Sequence, residues 1–116
     1  MLFSSSLKLN HVFRRLYRKG ASSANRYLVL YCRENGTDCN RLGLTVSAKL
    51  GHAVRRNRVR RRLREIYRLH EPEFRRGRDL VIVVRQRGMD ASYQELETAC
   101  LSLARHLELL HPEEDR

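Results

Sequence analysis

A chain of 116 residues holds one domain and one modest core, which excludes a multidomain enzyme. Its 24 Lys and Arg outnumber its 13 Asp and Glu, and the excess is uneven: residues 1–89 carry 22 basic and 6 acidic side chains (+16), residues 90–116 carry 2 and 7 (−5). A polyanion is the expected partner of the first three quarters, and a membrane is not, since the chain has no Trp anchor and no apolar run of spanning length.

In chain order, the serines at 4–6 read as a lead-in, and residues 7–110 as the ordered part of a single domain. Asn10 is placed to cap a short helix from His11 to about Lys19, closed by Gly20. Phe13, Leu16 and Tyr17 share one face of it, with Leu16 assigned to the core. Residues 22–25 read as a polar connector. RYLVLYCR, residues 26–33, alternates as a strand, with Tyr27, Val29 and Tyr31 on one face and Leu28, Leu30 and Cys32 on the other. Residues 34–40 contain an Asn-Gly turn signal and are expected to join a hairpin to a returning strand, residues 41–47.

Gly51 breaks the chain before its most charged stretch. Between Lys49 and Arg68 nine Lys and Arg face one acid, Glu65. Wound as a helix from about Ala53 to Leu69, this stretch places Val59, Leu63, Ile66 and Tyr67 on one apolar stripe. Asn57, Arg60, Arg61, Arg64 and Arg68 fall on the opposite arc, Arg58 lies on its shoulder, and Arg55 and Arg56 crowd the entry. Like charges at helical spacing repel by a few tenths of a kcal/mol per pair, so an anionic partner is expected to offset them. The near-exclusive use of Arg suits bidentate phosphate contacts and stacking, which Lys does not offer.

Residues 71–78, with Pro72 and Gly77, read as a loop; residues 79–85, DLVIVVR, as a strand buried on both faces. After a loop at 87–91, Ser92 and Glu95 form a capping box. Leu96, Cys100, Leu103, Leu107 and Leu110 then continue at helical spacing to Pro112, and residues 113–115 read as a frayed tail. The architecture is α+β: helix, hairpin, basic helix, strand, helix, around a small sheet with a βαβ crossover.

Catalytic chemistry is hard to assemble from these residues. Seven of the 13 acids lie in the last 27 residues, so no carboxylate cluster for metal ions is evident. His106 and His111 are five apart, which does not align ligands on a helix. Cys32, Cys39 and Cys100 are odd in number and lack C-x-x-C spacing, so they read as reduced thiols. The N-terminus has neither the basic start nor the apolar run of an export signal, and a cytoplasmic protein is expected.

The run S-A-K-x-G-x-A-V-x-R-N-R-x-R-R-x-x-R-E, Ser47 to Glu65, resembles the signature of the bacterial ribonuclease P protein subunit, V-S-K-K-x-G-x-A-V-x-R-N-R-x-K-R-x-x-R-E. It departs at Ala48, where Lys is usual, at His52, where Asn is common, and at Arg60, where Lys is common. Ala48 removes one possible phosphate contact, and His52 is a poorer helix N-cap than Asn. The resemblance extends from about Leu7 to Leu110.

What the resemblance implies is a subunit of an endonuclease that removes the 5′ leader of precursor tRNA. The implied catalyst is the RNA subunit, with magnesium held by that RNA and the substrate and no cofactor bound by the protein, which is silent alone and monomeric when free. It also implies a left-handed crossover in place of the usual right-handed one. Lys49, Arg55, Arg56, Asn57, Arg58, Arg60, Arg61, Arg64 and Arg68 are the candidate contacts to the ribonuclease P RNA. A cleft for the single-stranded leader is expected at Phe13, Tyr17, Tyr31 and Arg33. Singly, each of these aromatics is as well explained by core packing. Together they form an i, i+4 pair beside a strand aromatic, ringed by Arg14, Arg18, Lys19 and Arg33, which is the equipment of single-strand binding; the three positions also match the family's leader cleft, with Tyr17 where Phe is frequent. A ribosomal or other structural RNA-binding protein would share the charge without stimulating cleavage, and a free-standing nuclease would cleave without added RNA.

Overall fold

The computed structural model describes residues 1–7 and 10–112, with the backbone alone at Asn10 and His11. Five strands form one sheet in the order β1 (Ser4–Ser6), β4 (Asn40–Thr45), β5 (Arg78–Val84), β3 (Leu28–Glu34), β2 (Ala21–Ala24). Three α-helices pack on it: α1 (Asn10–Lys19), α2 (Ala53–His70) and α3 (Tyr93–His106). The expected cap at Asn10 and the tail at 113–115 lie outside the described side chains and residues.

The α+β class, the basic helix, the buried strand and the start of the last helix stand as the sequence predicts, and three expectations about the strands are corrected. Residues 4–6 are not a lead-in but an edge strand, parallel to β4 with Ser4 opposite Asn40. Residues 21–24 are not a connector but the other edge strand, antiparallel to β3. Finally, β3 and β4 do not form a hairpin: β5 inserts between them, antiparallel to β3 and parallel to β4, and the local hairpin is β2–β3. The Asn-Gly turn exists, with Gly36 at φ 75°, but it redirects the chain past the place β5 later fills.

The run at the centre of the sheet explains the layers. Leu80, Ile82 and Val84 face the same side as Leu28, Leu30, Cys32 and Leu42, and there they meet α2 and α3. From α2 come Val59, Leu63, Ile66 and Tyr67, the predicted stripe, all buried; from α3 come Leu96, Ala99, Cys100, Leu103 and Ala104. Burying each large apolar side chain contributes roughly 1.5–3 kcal/mol. On the opposite face Val81 joins Leu7, Val12 and Leu16 beneath α1, with Phe13, Tyr31 and Val83 half-buried beside them. The sheet thus has a thick core on one side and a single short helix on the other.

Two polar groups tie the ends of this frame. Asn40, fully buried, donates from Nδ2 to the Tyr67 hydroxyl (3.1 Å) and the Arg75 carbonyl (3.0 Å) and accepts from the Arg78 N–H (2.8 Å). The Ser4 and Tyr67 hydroxyls share a hydrogen bond of 2.7 Å, which fastens β1 to α2. The capping box opens α3 as predicted: Ser92 Oγ accepts from the Glu95 N–H and Glu95 Oε1 from the Ser92 N–H. The helix does not run on to Leu110, however. It stops at His106, the Leu109 N–H reaches back to the Ala104 carbonyl, and Glu108 adopts φ 57°. That is a Schellman closure with a non-glycine residue in the left-handed position.

Candidate nucleic-acid interface

The two candidate sets occupy two surfaces. Lys49 sits exposed in a short 3₁₀ turn (residues 48–50) whose start Ser47 caps by accepting from the Lys49 N–H. Gly51 ends that turn, and α2 begins after His52, which makes no side-chain cap bond. With the apolar stripe buried, Arg55, Asn57, Arg58, Arg61, Arg64 and Arg68 are exposed, and Arg56 and Arg60 are half-buried.

Several of these cations already have local partners. Arg55 pairs with Asp90 at 2.6 Å, Arg56 Nε donates to the Gly51 carbonyl at 3.1 Å, and Arg60 donates to Asn57 Oδ1 at 2.8 Å. Arg68 pairs with Glu65, and its hydrogen bond holds the Glu65 carboxyl below the usual carboxylate range. Among the described residues, Arg58, Arg61 and Arg64 make no side-chain hydrogen bond or ion pair. They are fixed to a rigid helix, exposed and uncompensated, so they present charge with little rearrangement needed to meet a phosphate. Arg62, outside the candidate set, turns the other way and reaches the Ala91 carbonyl at 3.4 Å.

The second surface is the α1 side of the sheet. Gly43 on β4, Val81 on β5 and Tyr31 on β3 stand in one row across three strands. Phe13 lies directly over Gly43: a Cβ there would come within 2.7 Å of the ring, so only glycine lets α1 sit this close. One turn on, Tyr17 meets Tyr31 edge-on, with ring centroids 4.8 Å apart and planes at 73°, while Phe13 and Tyr17 lie 6.5 Å apart. Val12 and Leu16 are the buried residues among the described side chains of this helix, whereas Tyr17 is 43% exposed. Phe13 and Tyr31 are thus partly core, and Tyr17 offers ring surface that packing does not use.

Two residues along the strands lies a second row: Arg41, Asp79 and Arg33. Arg41 grips Asp79 through two bonds of 2.7 Å, and Asn35 adds a third at 3.1 Å. That pairing raises the pKa of Arg41. The row lines a cavity of about 230 Å³ together with Val12, Arg15 and Leu16 of α1. Arg33 therefore does adjoin the aromatics, whereas the basic face of α2 does not, because α2 covers the opposite side of the sheet. Arg15 and Arg41 belong to this surface and were not among the candidates. Alternation puts Arg41 on the same face as Gly43, but which strand lies beside it is a matter of non-local pairing that the sequence alone does not display.

Among the described residues, no group of three or more His, Cys, Asp or Glu comes together as a metal site, and no helix is long and apolar enough to cross a membrane.

A family model described as Ribonuclease P matches residues 2–108. The ribonuclease P protein component of Alkaliphilus oremlandii is 44% identical over 105 residues, covering 90% of this chain and 92% of its own. Among solved structures, the Staphylococcus aureus RNase P protein superposes with a TM-score of 0.84 at 32% identity, covering 94% of this chain and 98% of that one. The protein from Thermotoga maritima gives 0.79 at 32% identity, over 86% and 96%. With the Arg-Asn-Arg helix carried between two parallel strands of the same sheet, and with sequence and fold similarity extending over nearly its whole length, the chain belongs to the ribonuclease P protein family.

Proposed function

We propose that this chain is the protein subunit of the ribonucleoprotein that removes the 5′ leader of precursor tRNA, and that it works by binding two RNAs on two faces. The exposed side of α2, with Lys49, Arg55, Arg56, Asn57, Arg58, Arg60, Arg61, Arg64 and Arg68, takes the ribonuclease P RNA. The α1 side of the sheet, with Phe13, Tyr17, Tyr31 and Arg33, takes the leader. The observation that carries this reading is the set Arg58, Arg61 and Arg64, three cations held on one helix face with no anion among the described residues to answer them.

Catalysis belongs to the RNA, with magnesium held by RNA and substrate; the protein brings no cofactor. Its fixed cations replace part of the diffuse counterion charge where RNA packs closely. Its aromatics add stacking of roughly 1–3 kcal/mol per base with little sequence preference, which suits leaders of varied sequence. The free protein is a monomer and works in the cytoplasm.

Reconstitution tests this. Purified protein, a bacterial ribonuclease P RNA and a precursor tRNA are combined at low magnesium, with each component omitted in turn. Cleavage should need the RNA, should fail with protein alone, and should reach its optimum at lower magnesium when protein is present. An unchanged magnesium optimum marks a structural RNA-binding protein, and cleavage by RNA-free protein marks a nuclease in its own right.

A further inference from the structure

Val54, in the first turn of α2, is 72% exposed. At 100° per residue it stands about 165° from the centre of the buried stripe, in the middle of the charged arc, with Arg58 and Arg61 one and two turns further along the same line. Of the other exposed large apolar residues, Met1 and Leu2 begin the chain, Tyr17 belongs to the α1 face and Leu69 lies on the flank of the last turn of α2. Among the described residues, Val54 is therefore the large apolar side chain that sits inside the arc. Single apolar residues are ordinary on a surface that faces water. Here the neighbours are two of the cations without a partner among the described residues, on the face proposed above to meet the ribonuclease P RNA. Charge is also withheld just upstream: residues 50–54 include no Lys, Arg, Asp or Glu, although Ala53 and Val54 are both exposed and Lys49 and Arg55 border them. A valine at this place forgoes a phosphate contact and, being β-branched, favours the helix less than arginine does.

We infer that Val54 is a recognition residue for the ribonuclease P RNA, seated against the face of an unpaired base that has left its stack, with Arg58 and Arg61 on phosphates beside it. The assignment rests on the α2 reading above and makes it specific. Methyl groups gain nothing from a phosphate or from water, so they are favourable at an interface only where the RNA offers apolar surface. A regular A-form duplex turns phosphates and hydroxyls outward and covers each base face with its neighbour. Base faces come free in loops, bulges and junctions, which is where RNA is recognised other than by charge and shape. The RNA under the first turns of α2 is accordingly non-helical at this point, and the helix combines an apolar seat with cations about 6 and 10.5 Å further along its axis.

The test measures binding of the full chain to a bacterial ribonuclease P RNA across a salt series, with Val54→Thr, Val54→Ala and Val54→Lys. Val54→Thr keeps the shape and replaces one methyl by a hydroxyl; it and Val54→Ala should each weaken binding by roughly tenfold. The loss should be the same at every salt concentration, with the wild-type slope, because an apolar contact releases no counterions. Alanine favours the helix more than valine does, so the urea midpoint of Val54→Ala should not fall and the lost affinity is not lost structure. Val54→Lys should bind no tighter than wild type although it adds a cation. Base-specific chemical probing should find one unpaired base of the RNA that wild-type protein shields and Val54→Ala leaves reactive. Wild-type affinity in Val54→Thr and Val54→Ala would overturn the assignment, as would tighter binding with a steeper slope in Val54→Lys, which would place a phosphate there. Arg58→Ala with Arg61→Ala separates the two levels: if that pair lowers the slope while the Val54 variants bind as wild type does, the α2 interface stands and the base seat falls. If the pair also keeps the wild-type slope, the α2 reading itself has failed.

Discussion

Glu108 holds φ 57° at the closure of α3, a conformation that costs an L side chain roughly 1–2 kcal/mol and glycine almost nothing. Its carbonyl accepts from Arg75 Nε at 3.1 Å, a backbone contact that substitution leaves in place. Glu108→Gly should therefore stabilise the fold by about 0.5–1 kcal/mol after the extra freedom of glycine in the unfolded chain is deducted. Urea unfolding would show this as a higher midpoint at unchanged slope; a lower midpoint would mean that the Glu108 side chain contributes more than the strain it causes. The start of α3 is legible because a capping box is written in two residues, Ser92 and Glu95. Its end is not, because Leu107 and Leu110 keep the helical period beyond the last turn while Leu109, off that period, is the residue that is buried. On α1 the sequence likewise does not say how much of Tyr17 the core takes up. What decides it is Gly43 on a distant strand, whose missing side chain lets Phe13 settle and sets the helix's rotation over the sheet.

At the scale of elements, α2 is legible almost in full, since its stripe and its charged arc are both local patterns. The strands are harder. β5 announces itself by an unbroken β-branched run, but β1 and β2 are edge strands of Ser and Ala that bury little, and an edge needs no apolar alternation to be held by backbone hydrogen bonds. The β3–β4 connection looks like a hairpin for the same reason: turn chemistry is local, and nothing near residues 34–40 tells that β5, which starts at Arg78, will take the place between the two strands. Because the charged arc and the buried stripe of α2 are separate, they are separable by mutation. Arg58→Ala with Arg61→Ala should leave the unfolding midpoint within about 0.5 kcal/mol of wild type, as exposed substitutions do. The same pair should reduce the salt dependence of binding to the ribonuclease P RNA by roughly one unit of slope for each phosphate left without its arginine. Filter binding across a salt series measures the slope directly. A doubly substituted protein that binds with the wild-type slope would move the RNA interface to another face.

For the whole molecule, pH bears on Glu71 and His70, each of which joins distant parts of the chain. Glu71, buried at the end of α2, accepts from the Leu2 and Phe3 N–H groups and so anchors β1. Burial pushes its pKa up, but the hydrogen bonds outweigh it and the net shift is downward, so this anchor is intact above the ordinary carboxylate range and fails as pH falls through the lowered folded value. His70 joins α2 to α3, with one ring nitrogen on Glu73 and the other on Glu97 at 2.9 Å. Burial disfavours its charge, yet the bonds to Glu97 and Glu73 prevail and raise its pKa above 6.5. The folded state then holds the His70 proton more tightly than the unfolded chain does. Its contribution is complete below pH 6.5 and disappears as pH rises through the folded pKa, with a negative slope of stability against pH in between. Urea midpoints measured from about pH 5 to pH 9 should accordingly decline on the alkaline side of 6.5, and His70→Gln, which keeps hydrogen-bonding capacity without the titration, should flatten that decline while leaving in place the acid limb to which Glu71 contributes. A decline of the same steepness in His70→Gln would assign it to other groups and reduce the His70 bridge to a neutral contact.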